Sequence, residues 1–162
     1  MNNDTHQVVD MNGKAVVIAD TVNELEYKPE DKGYVLIADS YNATIATVGG
    51  DGYEEYCLYQ KDDIYEIHHY KKYEYTSYVH EAYLTDINCK NELIEFFKKE
   101  KIANYEGKIS QCMAGGRLVM KLKKEEKMIG VSSDNVPYDK HYLFHDFRNL
   151  ILKYIDTNKR IF

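Results

Sequence analysis

A tyrosine-dense stretch between Tyr53 and Tyr83 constrains the fold more than any other part of this chain. Nine of the sixteen tyrosines lie there. Along residues 64–69 the odd-numbered side chains are Tyr, Ile and His and the even-numbered ones are Ile, Glu and His, which a strand presents on opposite faces. Tyrosine is also a strong strand former. The stretch therefore predicts a meander of two or three strands, with turns at 61–63 and 70–72.

Short apolar runs elsewhere extend the β-rich character of the chain. They are rich in β-branched residues and end in turn-forming residues, which is typical of buried strands. A cluster of glycines at 49–52 is the strongest break between them. The further predicted strands are Ala15–Asp20, Tyr34–Asp39, Asn42–Val48, Lys108–Met113, Arg117–Lys123 and Lys127–Ser132.

Two segments have the apolar spacing of amphipathic helices. The first spans Asn88–Lys101, with Asn88 as its candidate N-cap and lysines in its last turn. The second spans Asp139–Thr157 and follows Pro137. We therefore predict an α+β fold: a mostly antiparallel, twisted sheet of about six to nine short strands with two helices packed on one face. The first helix is expected to cover the N-terminal part of the sheet and the second its C-terminal strands.

The two halves of the chain carry opposite charge. Residues 1–86 hold 17 acidic and 6 basic side chains, a net of −11, and residues 87–162 hold 10 acidic and 15 basic ones, a net of +5, which gives −6 overall. The length suits a single domain over residues 1–162, within which these halves are candidate sub-lobes. Opposite charges either pair internally or attract a second copy, so we expect a monomer or weak homodimer with salt-sensitive association. The basic strands after residue 107 are interpreted as a solvated face, since the net negative charge opposes binding to nucleic acid.

The acidic, tyrosine-dense stretch predicts a surface that binds another protein. Tyrosine offers a large contact area with few torsions to freeze, and acids steer a basic partner towards it. Many nuclease active sites are cationic because they hold a polyanion. The leading hypothesis is thus a non-enzymatic inhibitor of a basic partner such as a nuclease. The predicted partner-binding residues are Tyr53, Glu54, Glu55, Tyr56, Tyr65, Glu66, Tyr70, Tyr73, Glu74, Tyr75 and Tyr78.

In composition the chain is similar to bacterial toxin-immunity proteins and phage anti-defence inhibitors, which are also small, acidic and tyrosine-rich. Its abundant Asn, Lys, Ile and Tyr are typical of AT-rich genomes, such as those of low-GC bacteria and their phages. The polar N-terminus lacks the features of a signal peptide. We therefore expect a cytoplasmic protein of a bacterial or phage-infected cell.

An internal repeat offers a different function. In residues 15–23 and 34–42, an apolar strand leads into Asp, a hydroxyl residue, one spacer and Asn. Such residues cap turns. Alternatively, the carboxylates of Asp20 and Asp39 would hold Mg²⁺ or Ca²⁺, which requires parallel, neighbouring strands. A small-ligand or nucleotide binder, or an enzyme, using these aspartates or the histidines is one alternative; a phage structural or assembly protein is another.

Histidines and cysteines give no metal or catalytic motif. His141 and His145 have the i, i+4 spacing of helical metal ligands, but a helical wheel places both on the wetter face, opposite the apolar stripe. Cys57, Cys89 and Cys112 are odd in number and form no CxxC pair, so we expect reduced thiols. No cofactor or metal is predicted, and folding is expected to be independent of metal.

Overall fold

The computed structural model describes residues 27–40, 53–72, 78–108 and 117–162 in full, and the backbone of short strand segments at 7–9, 15–17, 45–47 and 50–52. Among these, the helices are α1 (Ile87–Lys99) and α2 (Tyr142–Lys153). The strands are β1 (Gln7–Val9), β2 (Ala15–Val17), β3 (Val35–Asp39), β4 (Ile45–Thr47), β5 (Gly50–Lys61), β6 (Ile64–Lys72), β7 (Val79–Thr85), β8 (Val119–Lys124) and β9 (Lys127–Ser132).

Six strands form one antiparallel sheet in the order β7-β6-β5-β3-β8-β9. β4 pairs with the start of β5, and β1 and β2 form a separate two-stranded sheet. β3 lies between β5 and β8 and runs antiparallel to both. Strands from both halves of the chain therefore share one sheet.

The long hairpin of β5 and β6 confirms one predicted turn and corrects another. Lys61 pairs with Ile64, and the turn between them has Asp62 in the left-handed conformation, with φ of 52°. The predicted turn at 70–72 is wrong, because these residues continue β6 and pair with residues 53–55. β5 is twelve residues long. It therefore still provides a backbone partner for residues 70–72, where Lys71 and Lys72 had suggested the end of a strand.

Both helices pack on the same face of the sheet, which confirms the α+β prediction. The strands contribute Leu58, Ile67 and Leu122 to the core, and Phe97 of α1 meets Phe147 of α2 with ring centroids 5.3 Å apart. Complete burial of such a side chain contributes roughly 1.5–3 kcal/mol. The expected division of the sheet between the helices is wrong: α1 contacts β3 and β8, and α2 contacts β5 and β8. The reason is that β8 inserts beside β3 at the centre of the sheet.

The helix starts differ from their predicted positions. Asp86 is the N-cap of α1, and its carboxylate accepts a hydrogen bond of 2.8 Å from the backbone N–H of Asn88. α2 begins at Tyr142, after a short 3₁₀ turn at 138–140. Neither helix has the length and apolar character needed to span a bilayer.

Candidate functional site

Strand alternation divides the predicted partner-binding residues between two faces of the sheet. Tyr56 and Tyr65 point towards the helices and are buried there, and Glu66 is buried on the opposite face. These three side chains support the interior rather than a surface. Tyr53, Glu54, Glu55, Tyr70 and Tyr78 are half-buried, and Tyr73, Glu74 and Tyr75 lie outside the described residues.

On the helix side, Glu54 is the centre of an ion-pair cluster. Arg148 of α2 donates a hydrogen bond to one carboxylate oxygen, and the other lies 3.4 Å from Lys71 Nζ and 3.5 Å from His69 Nε2. Burial opposes ionisation of Glu54, but these cationic partners outweigh it and hold its pKa below the usual value. The cluster thus fastens α2 to the β5–β6 hairpin.

His69 is enclosed within the same cluster. Its ring stacks on Tyr56, with centroids 4.2 Å apart and planes at 3°, and its Nδ1 lies 3.4 Å from Glu81. Its Nε2 is buried and makes no hydrogen bond among the described residues, although a Glu54 oxygen lies 3.5 Å away. The arrangement is that of a structural ion network joining β5, β6 and β7.

The opposite face of the sheet carries a buried chain of ionisable groups. His68 makes hydrogen bonds of 2.8 Å to both His80 and Glu66, and Tyr27 donates to Glu66 at 2.9 Å. Burial raises the pKa of Glu66, but hydrogen bonds from His68, Tyr34 and Tyr27 outweigh it and hold the pKa below its usual value. Buried polar groups are tolerated when they are paired in this way. These hydrogen-bonded side chains anchor the segment around Tyr27 to the sheet.

A second polar cluster on this face includes Asp39, one of the two repeated aspartates. Asp39, Glu55 and Cys57 place one donor atom each within 4.8 Å of one another, close enough to share a metal ion. The Cys57 thiol donates to Glu55 at 3.3 Å, and Lys121 Nζ lies 3.7 Å from Asp39. Burial, together with Asp39 and Glu55, raises the pKa of Cys57 well above its ordinary value. A metal ion would require the deprotonated thiolate of Cys57 and would compete with Lys121 for Asp39. The three side chains are therefore better described as partners of one another and of Lys121 than as a metal site.

The repeat does not create the paired-aspartate geometry. Asp20 lies outside the described residues, and β2, the strand before it, pairs with β1 in a separate sheet. The neighbours of β3 are β5 and β8, both antiparallel to it. The parallel, adjacent strands that the metal hypothesis requires are therefore not found among the described elements.

The prediction of a surface histidine pair is wrong for His141. This residue precedes α2 instead of lying within it, so the helical wheel does not apply. Its side chain is buried, and Nε2 donates to the backbone oxygens of Val136 and Ser133 at 2.9 and 3.0 Å. His145 is exposed on the helix, as predicted. The two rings occupy different environments and do not form one site.

An exposed patch at one end of the sheet is the surface that sequence reasoning missed. We call it the end patch, and it comprises Asp62, Asp63, Ile64, Leu84, Asp86 and Ile87. The exposed fractions of Ile64, Leu84 and Ile87 are 48 %, 43 % and 50 %. Leu84 pairs with Glu66, so Ile64, two residues before Glu66, lies on the same sheet face. The signal in the sequence was the aspartate directly before each isoleucine.

Part of the positive charge on and around β8 and β9 is paired with acids. Arg117 pairs with Asp134 at 3.1 Å, and Lys127 with Glu106 at 3.6 Å. Glu106 also accepts a hydrogen bond from the backbone N–H of Gly130 on the edge strand β9. Such pairing reduces the positive charge of this hairpin but does not remove it.

Comparison with known proteins adds no functional assignment: no family model, curated protein or solved structure matches this chain.

Proposed function

We propose that this protein is a non-enzymatic, cytoplasmic inhibitor that binds a basic partner protein through the end patch. The supporting observation is the combination of three exposed aliphatic side chains with three aspartates. Asp62 and Asp63 have no cationic partner among the described residues, so their charge is available to a partner. A few well-packed side chains that become fully desolvated supply most of the binding energy at interfaces, and charges around them mainly steer association.

The proposal keeps the region expected from the sequence but changes the residues that provide the energy. Tyr56 and Tyr65 are buried, so Ile64, Leu84 and Ile87 replace these two predicted anchors. A basic nuclease is a suitable partner because its active site attracts polyanions, and an acidic patch occupies such a site by the same charge. Inhibition of this kind is what a toxin-immunity or phage anti-defence protein provides.

The experiment compares the unaltered protein with an Ile64→Lys/Leu84→Lys variant and a Met128→Lys control. Met128 is also an exposed apolar residue, but it lies on the edge strand β9. Each protein is used as bait in a lysate of the native host, and the captured protein is then purified and titrated. We expect stoichiometric inhibition of its activity by the unaltered protein and the control. The double variant should lose at least about tenfold in affinity, equal to roughly 1.4 kcal/mol.

Two results would contradict the proposal. One is a double variant that is folded, as judged by far-UV circular dichroism, and still binds with unchanged affinity. The other is a captured partner whose activity is unaffected by saturating amounts of the protein, which would favour an assembly role.

A further inference from the structure

A groove of about 630 Å³ lies on the helix side of the sheet. It is bounded by α1, the start of β3, the end of β5 and the turn between β8 and β9. Gly33, at its rim, has φ of 85°, a left-handed conformation that glycine adopts without strain and that turns the chain into β3. The volume is within the usual range for a small-molecule site.

The groove concentrates uncompensated positive charge. Lys61, Lys90, Lys123 and Lys124 line it together with two acids, Asp62 and Glu125, for a local net charge of +2. None of these lysines forms an ion pair with a described carboxylate. Their neighbours Lys121 and Lys127 on the same hairpin do form such pairs. The charge of the groove is therefore available to a ligand.

Two of the lysines are held in place by neutral acceptors. Lys90 Nζ donates to the side-chain oxygen of Gln60 at 2.9 Å, and Lys61 Nζ donates to the backbone oxygen of Lys32 at 2.8 Å. These hydrogen bonds restrict the side chains without cancelling their charge. Less side-chain entropy is then lost when an anion binds.

The groove also has an apolar part. Val35 is 44 % exposed although it belongs to a strand, and it lines the groove together with Ile37 and Ile94. An apolar surface beside several ammonium groups is suited to a ligand with an anionic end and a flat or apolar body. A phosphate ion alone would use only half of these features.

We propose that this groove binds a small phosphorylated ligand of the nucleotide class, with its phosphates among the four lysines and its base against Val35 and Ile94. A nucleoside triphosphate carries several negative charges and matches the cationic side chains in number. A long nucleic acid is disfavoured, because the whole protein carries −6 and Asp62 and Glu125 stand in the groove. Asp62 belongs both to this groove and to the end patch, but the observations that point to nucleotide binding do not rest on partner binding at that patch.

Isothermal titration calorimetry at low salt tests the proposal with three probes: ATP, inorganic triphosphate and adenosine. The variants are Lys90→Gln and Lys123→Gln, and the control is Lys98→Gln, an exposed lysine in the last turn of the same helix. We expect ATP to bind at least about tenfold more tightly than triphosphate or adenosine, because only ATP contacts both the lysines and the apolar part of the groove. Each groove variant should weaken ATP binding by about fivefold or more, and the control should not.

Three outcomes would overturn the assignment. Absence of ATP binding, or equal binding by ATP and triphosphate, would remove the nucleotide class. Tighter binding of a single-stranded oligonucleotide than of ATP would make the groove a nucleic-acid site. Unchanged ATP affinity in both groove variants, with melting temperatures equal to that of the unaltered protein, would place the ligand elsewhere.

Discussion

At the scale of single residues, Glu66 is a buried carboxylate whose charge is stabilised by its neighbours. His68, Tyr34 and Tyr27 keep its folded-state pKa below the ordinary value of 4.5. A group with a depressed folded pKa contributes stability that is present above the unfolded pKa and is lost as the pH falls through the folded one. The contribution of Glu66 is therefore complete above about pH 4.5.

We expect Glu66→Gln to make the stability of the protein less sensitive to acid. The variant should be less stable than the unaltered protein at pH 7, and the difference between their melting temperatures should shrink as the pH falls below about 4.5. Asp63→Asn, which changes an exposed carboxylate, serves as the control and should follow the unaltered protein. A constant difference between pH 7 and pH 3, followed by circular dichroism, would contradict the charge-dependent role of Glu66.

The two described cysteines should be chemically inert in the native protein. Burial and the nearby Asp39 and Glu55 raise the pKa of Cys57 well above its ordinary value. Burial, with Asp86 and Glu92, raises that of Cys89 to about 12. Because the thiolate is the reactive form, neither residue should react with a disulfide reagent at pH 8 until the protein is denatured. Peptide mapping by mass spectrometry distinguishes them from Cys112, and rapid native labelling of Cys57 would instead support a nucleophilic cysteine.

At the scale of elements, local pattern predicted the strands and helices but not their partners. The hairpin turn at 62–63, the strands β3, β8 and β9 and both helices follow from composition and spacing. The turn assigned to 70–72 does not exist, because the length of β5 decides how far β6 extends. Pairing between distant strands is a property of the assembled sheet and leaves little trace in a single stretch of sequence.

The candidate sites were harder to predict for a related reason. Alternation correctly placed Tyr65, Ile67 and His69 on one face, but both faces of the central hairpin are largely buried. Exposure depends on what covers a face, and the segment around Tyr27 that covers one of them lies far away in the sequence. The lysines of the groove likewise come from three separate elements, β5, α1 and β8, so no motif joins them.

The start of α1 is a place where the sequence pattern and the structure assign the N-cap to different residues, and mutagenesis can distinguish them. Asp86 caps the helix, whereas the sequence suggested Asn88. Asp86→Ala should therefore lower the free energy of unfolding by about 1 kcal/mol, because a backbone N–H loses its acceptor. Asn88→Ala should change it by less than about 0.5 kcal/mol. Urea denaturation of the two variants provides the measurement, and the reverse order of effects would restore Asn88 as the cap.

At the scale of the whole molecule, part of the charge asymmetry is used internally. Ion pairs between Glu54 and Arg148, Glu81 and Arg160, and Asp39 and Lys121 each join the acidic half of the chain to the basic half. Exposed pairs contribute only about 0–1 kcal/mol each. Their more definite consequence is that these charges are no longer available to attract a second copy of the chain.

The charges that remain unpaired decide how the molecule associates. The aspartates of the end patch and the lysines of the groove have opposite signs, so two copies attract one another weakly through them. We expect a monomer or weak dimer at about 0.05 M salt, and a smaller dimer fraction at about 1 M, where the screening length falls to roughly 3 Å. Light scattering at both salt concentrations measures the dimer fraction. The Lys123→Gln/Lys124→Gln variant should have a smaller dimer fraction at low salt, as the unaltered protein has at high salt. An oligomer that is stable at high salt would instead indicate an apolar interface, with the exposed aliphatic side chains of the end patch as the first place to look for it.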